Sequence, residues 1–390
     1  MDISSFYDLL SPAGQDAIQV ALDLQPREAD FLSHYQGLAQ KFPPDLARVA
    51  LETAILRGEA KKKFPQAEKM YFTRTALEQA SSYAVSSYRA GRYAEFEQVI
   101  DLGCSIGGDT LAFAQAATAI GIDLDPLRLA IAQANLQALQ LKAVFLRADL
   151  LSLLPFASLL SALFFDPARR ADHRRVFSVE DYNPPLSTLR QWLPRFPALG
   201  VKISPGVNLD ELSEYDCEIE FISLNGELKE AMLWFGPLKS AESRATILPG
   251  RQTITGNRSI NDSCKLSEPK SYLYEPDPSV LRAGLVRNLA EQLDAAQLDP
   301  DIAYLTSGTK IPTPFARSWE VDDWFPFQLK NLRAYLRERG VGRVVVKKRG
   351  SPLQPESLIR DLKLRGNDER VVFLTHLSGR PIVVICKTND

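Results

Sequence analysis

The sequence of 390 residues is poor in the side chains that build disulfide frameworks and metal sites. It has four cysteines, which lie far apart and form no Cys-x-x-Cys pair: Cys104, Cys217, Cys264 and Cys386. It has three histidines, which are too scattered to form a metal cluster: His34, His173 and His376. These spacings argue against zinc sites and disulfide scaffolds, and they suit a reducing compartment. We therefore expect no bound metal.

Long apolar runs and a strong net charge are also absent. No stretch approaches the roughly 20 apolar residues that cross a bilayer, and the first residues lack the basic and apolar regions of a secretory signal. We therefore expect a cytoplasmic location and no membrane partner. The formal net charge is −2, and 45% of the residues are hydrophobic. These values are ordinary for a globular protein, so any surface for a polyanion must be a local patch.

The pattern of predicted elements divides the chain into three regions. Residues 1–95 are predicted to be helical. Residues 96–264 alternate short apolar strands with helices, which predicts an α/β fold with a parallel sheet, and Asn225-Gly226 predicts a hairpin near its end. Residues 265–390 are predicted to form a compact α+β domain with helices at 280–293 and 328–339. A stretch rich in Gly, Ser, Asn and Pro places the boundary near residue 265.

A glycine-rich loop follows the first predicted strand and has the sequence Asp101-Leu-Gly-Cys-Ser-Ile-Gly-Gly108. Gly103 and Gly107 permit a tight turn that lets the backbone approach a ligand without a side-chain clash. Ser105 keeps the position between them small. Asp101 places a carboxylate at the end of the strand. These four residues are the predicted contacts for a nucleotide-like cofactor.

Two further acids follow the next two predicted strands. Asp123 comes 22 residues after Asp101 by numbering, and Leu124 lies beside it. That spacing is close to the roughly 20 residues expected for an acid that binds a ribose. Asp149-Leu150 follows the third strand. This position would meet the edge of the adenine base of a nucleotide-like cofactor. A nicotinamide-binding Rossmann domain is the alternative, but its fingerprint has a glycine where this chain has Ser105.

From Asp101 to Asp149 the sequence resembles the cofactor-binding core of class I S-adenosylmethionine-dependent methyltransferases. The resemblance implies a Rossmann-like sheet and S-adenosyl-L-methionine as the cofactor. Upstream, Tyr71-Phe-Thr-Arg-Thr-Ala-Leu-Glu-Gln79 is similar to a segment that lies over the cofactor in amino-group methyltransferases. That likeness implies contacts of Phe72 and Thr73 with the methionine end of the cofactor. The alternative for Thr73 is an ordinary helix N-cap.

The fourth predicted strand ends in Asp166-Pro167-Ala168-Arg169. Methyltransferases that act on amino groups of nucleic acids usually carry Asn, Asp or Ser here, then two prolines and an aromatic residue. The resemblance makes Asp166, Pro167 and Arg169 the candidate catalytic residues, with Asp166 positioning the acceptor. Because Ala168-Arg169 departs from the pattern, Arg169 or Arg170 would stack on a base or bind a phosphate in place of the aromatic ring. A surface pair of arginines is the alternative.

Positive charge is concentrated at the C-terminal end of the chain. Residues 331–390 hold 13 Lys and Arg against 6 Asp and Glu, although the whole chain has a net charge of −2. The predicted polyanion contacts are the central cations of this region: Arg343, Lys347, Lys348, Arg349 and Lys363. Such a face suits a polyanion, and its binding should depend on salt. A solvated basic surface is the alternative.

Most of the chain resembles bacterial methyltransferases that carry a C-terminal THUMP-like domain. The likeness rests on the helical N-terminal region, the Asp166-Pro-Ala-Arg169 segment and the segment Tyr272-Leu-Tyr-Glu-Pro-Asp-Pro278. THUMP domains bind structured RNA, so the resemblance implies that the five cations contact RNA. We expect an S-adenosylmethionine-dependent methyltransferase that acts on RNA. The alternatives are a methyltransferase for a protein or small molecule, and a protein that binds the cofactor and RNA without turnover.

Overall fold

The computed structural model describes residues 1–151, 161–168, 170–171, 174–175, 178–257 and 264–388. The chain forms two compact units. The first unit consists of Met1–Glu218 and Glu230–Ser240, and the second of Ile219–Lys229 and Ala241–Asp390. This division differs from the three predicted regions, since residues 1–95 belong to the first unit and the second unit begins before residue 265.

The N-terminal part of the first unit is helical, as predicted. Its helices are α1 (Ile3–Leu10), α2 (Pro12–Asp23), α3 (Phe31–Leu38), α4 (Pro44–Ala60), α5 (Arg74–Gln79) and α6 (Tyr83–Ala90). Phe6 and Leu56 from these helices share one buried cluster with Ile106 and Ile131 from the α/β part. Because this core is continuous, the helices are not a separate domain.

The last two of these helices, α5 and α6, are separated by residues 80–82. Lys63 explains where α5 ends, because its Nζ donates to the carbonyl oxygens of Leu77, Glu78 and Ala80 at 2.7, 3.0 and 2.8 Å. In general the last carbonyls of an α-helix have no intrahelical amide partner, so a cation is favoured there, and the helix dipole favours it further. The chain then turns and begins α6.

The predicted parallel sheet is present in the first unit. Its strands are β1 (Gln98–Leu102), β2 (Thr118–Asp123), β3 (Ala143–Arg147), β4 (Ser161–Phe165) and β7 (Leu199–Ile203), and the short strands β5 (Arg170–Ala171) and β6 (Arg174–Arg175) pair separately. The helices between them are α7 (Thr110–Phe113), α8 (Pro126–Ala138) and α9 (Leu189–Trp192). The strand order is β7-β4-β1-β2-β3, and all neighbours are parallel. Their carboxyl ends therefore share one edge of the sheet, which we call the carboxyl edge.

A hairpin follows the parallel strands at Asn225-Gly226, as predicted. Both residues have positive φ angles, 54° and 78°, as a two-residue hairpin turn requires. The turn joins β8 (Glu218–Leu224) to β9 (Glu227–Trp234). Within the first unit, the end of β9 pairs antiparallel with β7, from Ala231 opposite Ile203 to Trp234 opposite Gly200.

The second unit contains nine further strands and four helices within its described residues. The strands are β10 (Ser243–Leu248), β11 (Gln252–Gly256), β12 (Tyr272–Pro276), β13 (Ala296–Asp299), β14 (Ile302–Ser307), β15 (Ala316–Pro326), β16 (Val341–Lys348), β17 (Asp368–Leu377) and β18 (Arg380–Lys387). The helices are α10 (Pro278–Ala283), α11 (Val286–Gln292), α12 (Leu329–Glu338) and α13 (Pro355–Leu362). The single helix predicted at 280–293 is wrong, because Gly284 takes a left-handed conformation with φ 72° and ends α10.

A strongly curved sheet forms the core of the second unit, with the order β13-β14-β12-β15-β18-β17-β16. In a flat sheet β12 and β16 would lie about 19 Å apart, at roughly 4.8 Å per strand. However, Lys347 of β16 donates to Glu275 of β12, and Arg349 Nη2 lies 3.7 Å from Glu275 Oε1. The sheet must therefore curve, and its core includes Trp319 and Phe373.

We predict that Glu275→Gln destabilises the second unit by about 1–3 kcal/mol, because two partly buried cations lose their carboxylate. The three side chains are only 20–28% exposed. The measurement is urea-induced unfolding followed by circular dichroism.

Glu320→Gln is the matched control for this prediction. Its partner is Lys387, and both side chains are about half exposed, at 49% and 50%. An exposed pair contributes less than about 1 kcal/mol. Equal losses in the two variants would contradict a role for Glu275 in holding the curved sheet.

Candidate functional site

The glycine-rich loop leaves β1 at the carboxyl edge and needs glycine at two predicted positions. Gly103 and Gly107 have φ angles of 85° and 81°, which L side chains rarely adopt. A Cβ atom on Gly107 would also come within 3.1 Å of Ala132 Cβ on α8. Ser105 lies between them with a φ of 49°. The loop therefore keeps its backbone close to α8.

Asp123 lies at the end of β2 and holds the loop in place. Its Oδ2 accepts from the Ser105 amide and its Oδ1 from the Asp125 amide, both at 2.9 Å. Asp125 in turn accepts from the Leu127 amide at 2.8 Å and caps α8. Each Asp123 oxygen retains a second lone pair. The predicted ribose-binding acid is therefore also a structural link between β2 and the loop.

The residues predicted to meet the adenine lie at the same edge. Leu124 is 58% exposed, which is high for a leucine that directly follows a buried strand. A flat apolar ring lying over this position would cover it. Asp149 is exposed and its Oδ1 accepts from the Leu151 amide, whereas Leu150 is buried. Leu150 could therefore contact a ligand mainly through its backbone.

Asn135 is a buried residue of α8 that sequence reasoning missed. Its Nδ2 donates to the carbonyls of Tyr71 and Ile106 at 3.1 and 3.0 Å, and its Oδ1 accepts from the Tyr71 amide at 2.7 Å. It thus ties the backbone of Tyr71 to the glycine loop. An amide residue among the apolar positions of α8 was the signal that could have identified it.

Phe72 and Thr73, which the sequence predicted to contact the methionine end of the cofactor, make contacts within the protein. The Phe72 ring is buried and packs 5.6 Å from the ring of Phe64. The Thr73 hydroxyl accepts from the Ala76 amide at 3.3 Å, as an N-cap of α5 does. The structure therefore places the Phe72 ring in the core and the Thr73 hydroxyl in a helix cap.

Arg89 of α6 is fully buried beside the loop. It donates to Asp109 at the end of the loop and, at 2.6 Å, to Glu230 of β9. Its guanidinium also lies 4.9 Å from the centroid of the Phe164 ring. Burial would lower the pKa of Arg89, but the charges of Asp109 and Glu230 raise it above its usual value. Sequence reasoning missed this group because its partners lie 20 and 141 positions away.

Asp166 follows β4 and forms an ion pair with a buried lysine. Lys202 of β7 donates from Nζ to Asp166 Oδ2 at 2.6 Å. Next in the chain, Pro167 is buried, and Ala168 exchanges backbone hydrogen bonds with Asn183 at 3.0 and 2.9 Å. Arg169, the third candidate catalytic residue, lies outside the described residues.

These groups form a cluster with more acids than cations: Asp101, Asp109, Asp166 and Glu230 with Arg89 and Lys202. Burial and the charge of Asp109 raise the pKa of Asp101 well above its usual range. Burial also raises the pKa of Glu230. Burial would raise the pKa of Asp109, but the charges of Arg89 and Lys202 lower it. A cationic ligand would stabilise the surplus carboxylates.

In the second unit, the five predicted polyanion contacts fall into two groups. Lys347 and Arg349 pair with Glu275, and Lys348 donates to Gln354 Oε1 at 3.1 Å. Arg343 and Lys363 are exposed and line a cleft of about 340 Å³ beside α13. Among the described residues, neither of these two side chains has a carboxylate partner.

The described residues contain no group of three His, Cys, Asp or Glu side chains that could hold a metal ion. Within the same ranges, no helix is both long enough and apolar enough to span a membrane.

Three protein families match separate parts of the chain. A methyltransferase domain family matches residues 99–168, and a THUMP domain-like family matches residues 316–388. A domain of unknown function matches residues 2–60. The three matches lie in the regions that the sequence assigned to the cofactor core, the C-terminal domain and the helical N-terminus.

Two curated relatives match most of the chain. They are uncharacterized S-adenosylmethionine-dependent methyltransferases from two strains of Mycobacterium tuberculosis, CDC 1551 and H37Rv. Each is 36% identical over 348 residues, which cover 86% of this chain and 94% of the relative. A crystal structure from Porphyromonas gingivalis W83, provisionally described as a methyltransferase, has a TM-score of 0.74 and 20% identity. It covers 94% of this chain and 100% of its own, and it supports the fold.

We predict that Asp101→Asn stabilises the ligand-free protein. The pKa of Asp101 is higher in the folded protein than in the unfolded chain. Its carboxyl group therefore begins to lower the free energy of unfolding as the pH rises above about 3.8, and this loss grows until the pH passes the folded pKa. Asparagine removes this effect and can still accept from Thr110, which donates at 2.5 Å. At pH 7 to 8 we expect the Tm to rise by about 2 °C or more, the shift that 1 kcal/mol causes in a unit of this size.

Asp216→Asn serves as the control, because its side chain is almost fully exposed. It should leave the Tm within about 1 °C at every pH, as exposed substitutions usually do. A Tm of Asp101→Asn that is lower than that of the unchanged protein between pH 5 and 8 would contradict the prediction.

Proposed function

The chain belongs to the S-adenosylmethionine-dependent methyltransferases, and we propose that it methylates structured RNA, which the second unit binds. The THUMP domain-like match at residues 316–388 carries this proposal. The exposed cations Arg343 and Lys363 support it, because phosphate contacts supply most of the affinity for nucleic acids. S-adenosylmethionine, when bound, supplies a methyl group on a positively charged sulfur.

We propose that the cofactor binds at the carboxyl edge of the first unit. The glycine loop from Gly103 to Gly107 would lie against it, and Asp101 and its neighbouring carboxylates would balance its positive charge. The free lone pairs of Asp123 would accept from the ribose hydroxyls. The fit is supported by the surplus of carboxyl groups over cations in the cluster, four against two.

The remaining predicted contacts enter the proposal with adjusted roles. Leu124 would cover the adenine, because its side chain is exposed. Asp149 and the backbone of Leu150 would meet the adenine edge. Phe72 and Thr73 would contribute through their backbone, since the ring is buried and the hydroxyl caps α5.

At the acceptor end, we propose that Asp166 and Pro167 position the acceptor and that Arg169 binds RNA next to them. Asp166 is accessible and directly follows the strand beside the glycine loop. A protein or small-molecule acceptor is the second candidate, favoured by the lack of an aromatic residue after Pro167. We also propose a cytoplasmic location, supported by the four free cysteines.

The test is transfer of a radiolabelled methyl group from S-adenosylmethionine into RNA, protein and small-molecule fractions of cells that lack this enzyme. We expect label in RNA, and a strong loss of label with Asp166→Asn. Label confined to protein or small molecules would refute the RNA proposal. Cofactor binding without any transfer would refute turnover on these substrates.

We predict that the double variant Arg343→Glu, Lys363→Glu weakens binding to structured RNA at least about tenfold and lowers the salt slope by about 1 for each lost phosphate contact. These two cations are preferable to Lys347 and Arg349, whose reversal would also break the pairs with Glu275. Binding is measured by fluorescence anisotropy with a labelled RNA hairpin at salt concentrations from about 50 to 300 mM. Over about this range, salt screens contacts between exposed charges.

The matched control is Lys310→Glu with Arg380→Glu, which changes two exposed cations of the same unit that lie outside the cleft. Its net charge change is identical, so a general electrostatic effect would weaken both double variants equally. Equal weakening would therefore contradict a specific role for the cleft.

A further inference from the structure

Lys202 is a lysine in the interior of the first unit, with a side chain only 4% exposed. Buried lysines are rare unless a partner compensates for their charge. The register between β4 and β7 supplies that partner, because Phe165 lies opposite Val201 and the next residues along the two parallel strands are Asp166 and Lys202. The pair is therefore built into the sheet.

The other charged groups near Asp166 do not replace Lys202. Arg89 of α6 is engaged by Asp109 and Glu230. Asp101 of β1 is an acid, and its charged form repels the Asp166 carboxylate. Within the described ranges, Lys202 is thus the one cation in ion-pair contact with Asp166.

The pair leaves one oxygen of Asp166 available. Oδ2 accepts from Lys202 Nζ at 2.6 Å, and the side chain is 25% exposed. No hydrogen bond from a described residue reaches Oδ1. The backbone of Asp166 also adjoins the loop, since a Cβ atom on Gly103 would lie 3.4 Å from the Asp166 carbonyl oxygen. A fixed, accessible hydrogen-bond acceptor therefore stands beside the proposed cofactor site.

We propose that Lys202 is a positioning residue that holds Asp166 so that Oδ1 accepts from the N–H of the acceptor, which makes the acceptor an amino nitrogen. This inference rests on the proposed function, because it assigns the reacting atom of the same site. A carboxylate only accepts hydrogen bonds, so it selects an acceptor that carries N–H or O–H. Of these two, an amino nitrogen can attack the methyl group before it loses its proton, whereas a hydroxyl must be deprotonated first. A ring carbon would instead require an enzyme thiolate that adds to the ring.

The cysteine of the glycine loop does not suit that second chemistry. Cys104 is buried, and its sulfur would lie 2.9 Å from a Cβ atom on Gly121, so it packs against β2. Burial raises the pKa of its thiol well above the usual value. A neutral, enclosed thiol is a poor nucleophile.

The proposed step balances with these groups alone. The nitrogen lone pair forms the new N–C bond to the methyl carbon, the C–S bond breaks, and its electron pair stays on sulfur. The nitrogen then loses one proton to the Asp166 carboxylate, which releases it to water through its exposed side. Lys202 keeps its protons and holds the orientation of Asp166.

The test compares Lys202→Met with Lys202→Arg, which keeps a cation, in the RNA methylation assay. For Lys202→Met we expect kcat to fall about 100-fold, as misplacement of a reacting group does, with KM and S-adenosylhomocysteine affinity within about threefold. The acidic limb of the pH–rate profile should move to higher pH, because Asp101, Asp109 and Glu230 then face Asp166 without a compensating lysine. Lys202→Arg should restore part of kcat.

Lys229→Met is the control, since it removes an exposed lysine that pairs with Glu227 on β9. It should leave kcat and the pH profile unchanged. A Lys202→Met protein with kcat within threefold of the unchanged enzyme and the same pH profile would overturn the proposal. If Lys202→Met fails to fold, as judged by its thermal transition, Lys202→Arg takes its place in the test. A pH–rate profile of Lys202→Arg identical to that of Asp166→Asn, which lacks the carboxylate, would then overturn the proposal.

A failure of the RNA proposal can be distinguished from a failure of the positioning role of Lys202. In protein labelled with ¹³C at aspartate carboxyls, the Asp166 signal is identified by its loss in Asp166→Asn. Its chemical shift at neutral pH should differ between Lys202→Met and the unchanged protein, whatever the substrate is, because the hydrogen bond from Lys202 Nζ is lost. An unchanged chemical shift would overturn the positioning role, whereas a changed chemical shift without RNA methylation would refute only the RNA acceptor.

Discussion

Four carboxyl groups and two buried cations lie together at the carboxyl edge of the first unit, and their pairing constrains the elements around them. Arg89 is fully enclosed, so its charge must be met by Asp109 and Glu230. Buried ions are costly unless such partners are present. Because α6, the glycine loop and β9 each supply one of these three groups, the three elements must keep their relative positions. The same cluster leaves carboxylates in surplus, which suits a positively charged cofactor.

The N-terminal helices are part of this arrangement. They share a hydrophobic core with α8, and Asn135 of α8 joins the Tyr71 backbone to the loop at Ile106. Arg89 comes from the last of these helices. The helical region therefore completes the wall of the candidate site, which explains why it forms one compact unit with the parallel sheet.

In the second unit, the constraint is the curvature of the seven-stranded sheet. Lys347 and Arg349 reach Glu275 across it, so two of the five predicted polyanion contacts form ion pairs within the protein. Arg343 and Lys363 lie on the cleft beside α13 and keep their side chains exposed. A count of charges along the chain cannot separate these two groups, because partnership depends on strands that are far apart in the sequence.

The sequence alone determined the features that depend on local pattern. Alternating apolar strands and helices predicted the parallel sheet, and the glycines at 103 and 107 predicted a loop whose φ angles only glycine readily adopts. The hairpin at Asn225-Gly226 follows from the same kind of local rule. Tertiary structure decided what depends on distant partners. The pairing of Lys202 with Asp166, the enclosure of Arg89 and the sharing of Glu275 join residues from separate elements, and a buried charge is assigned a partner only when the fold brings the two together.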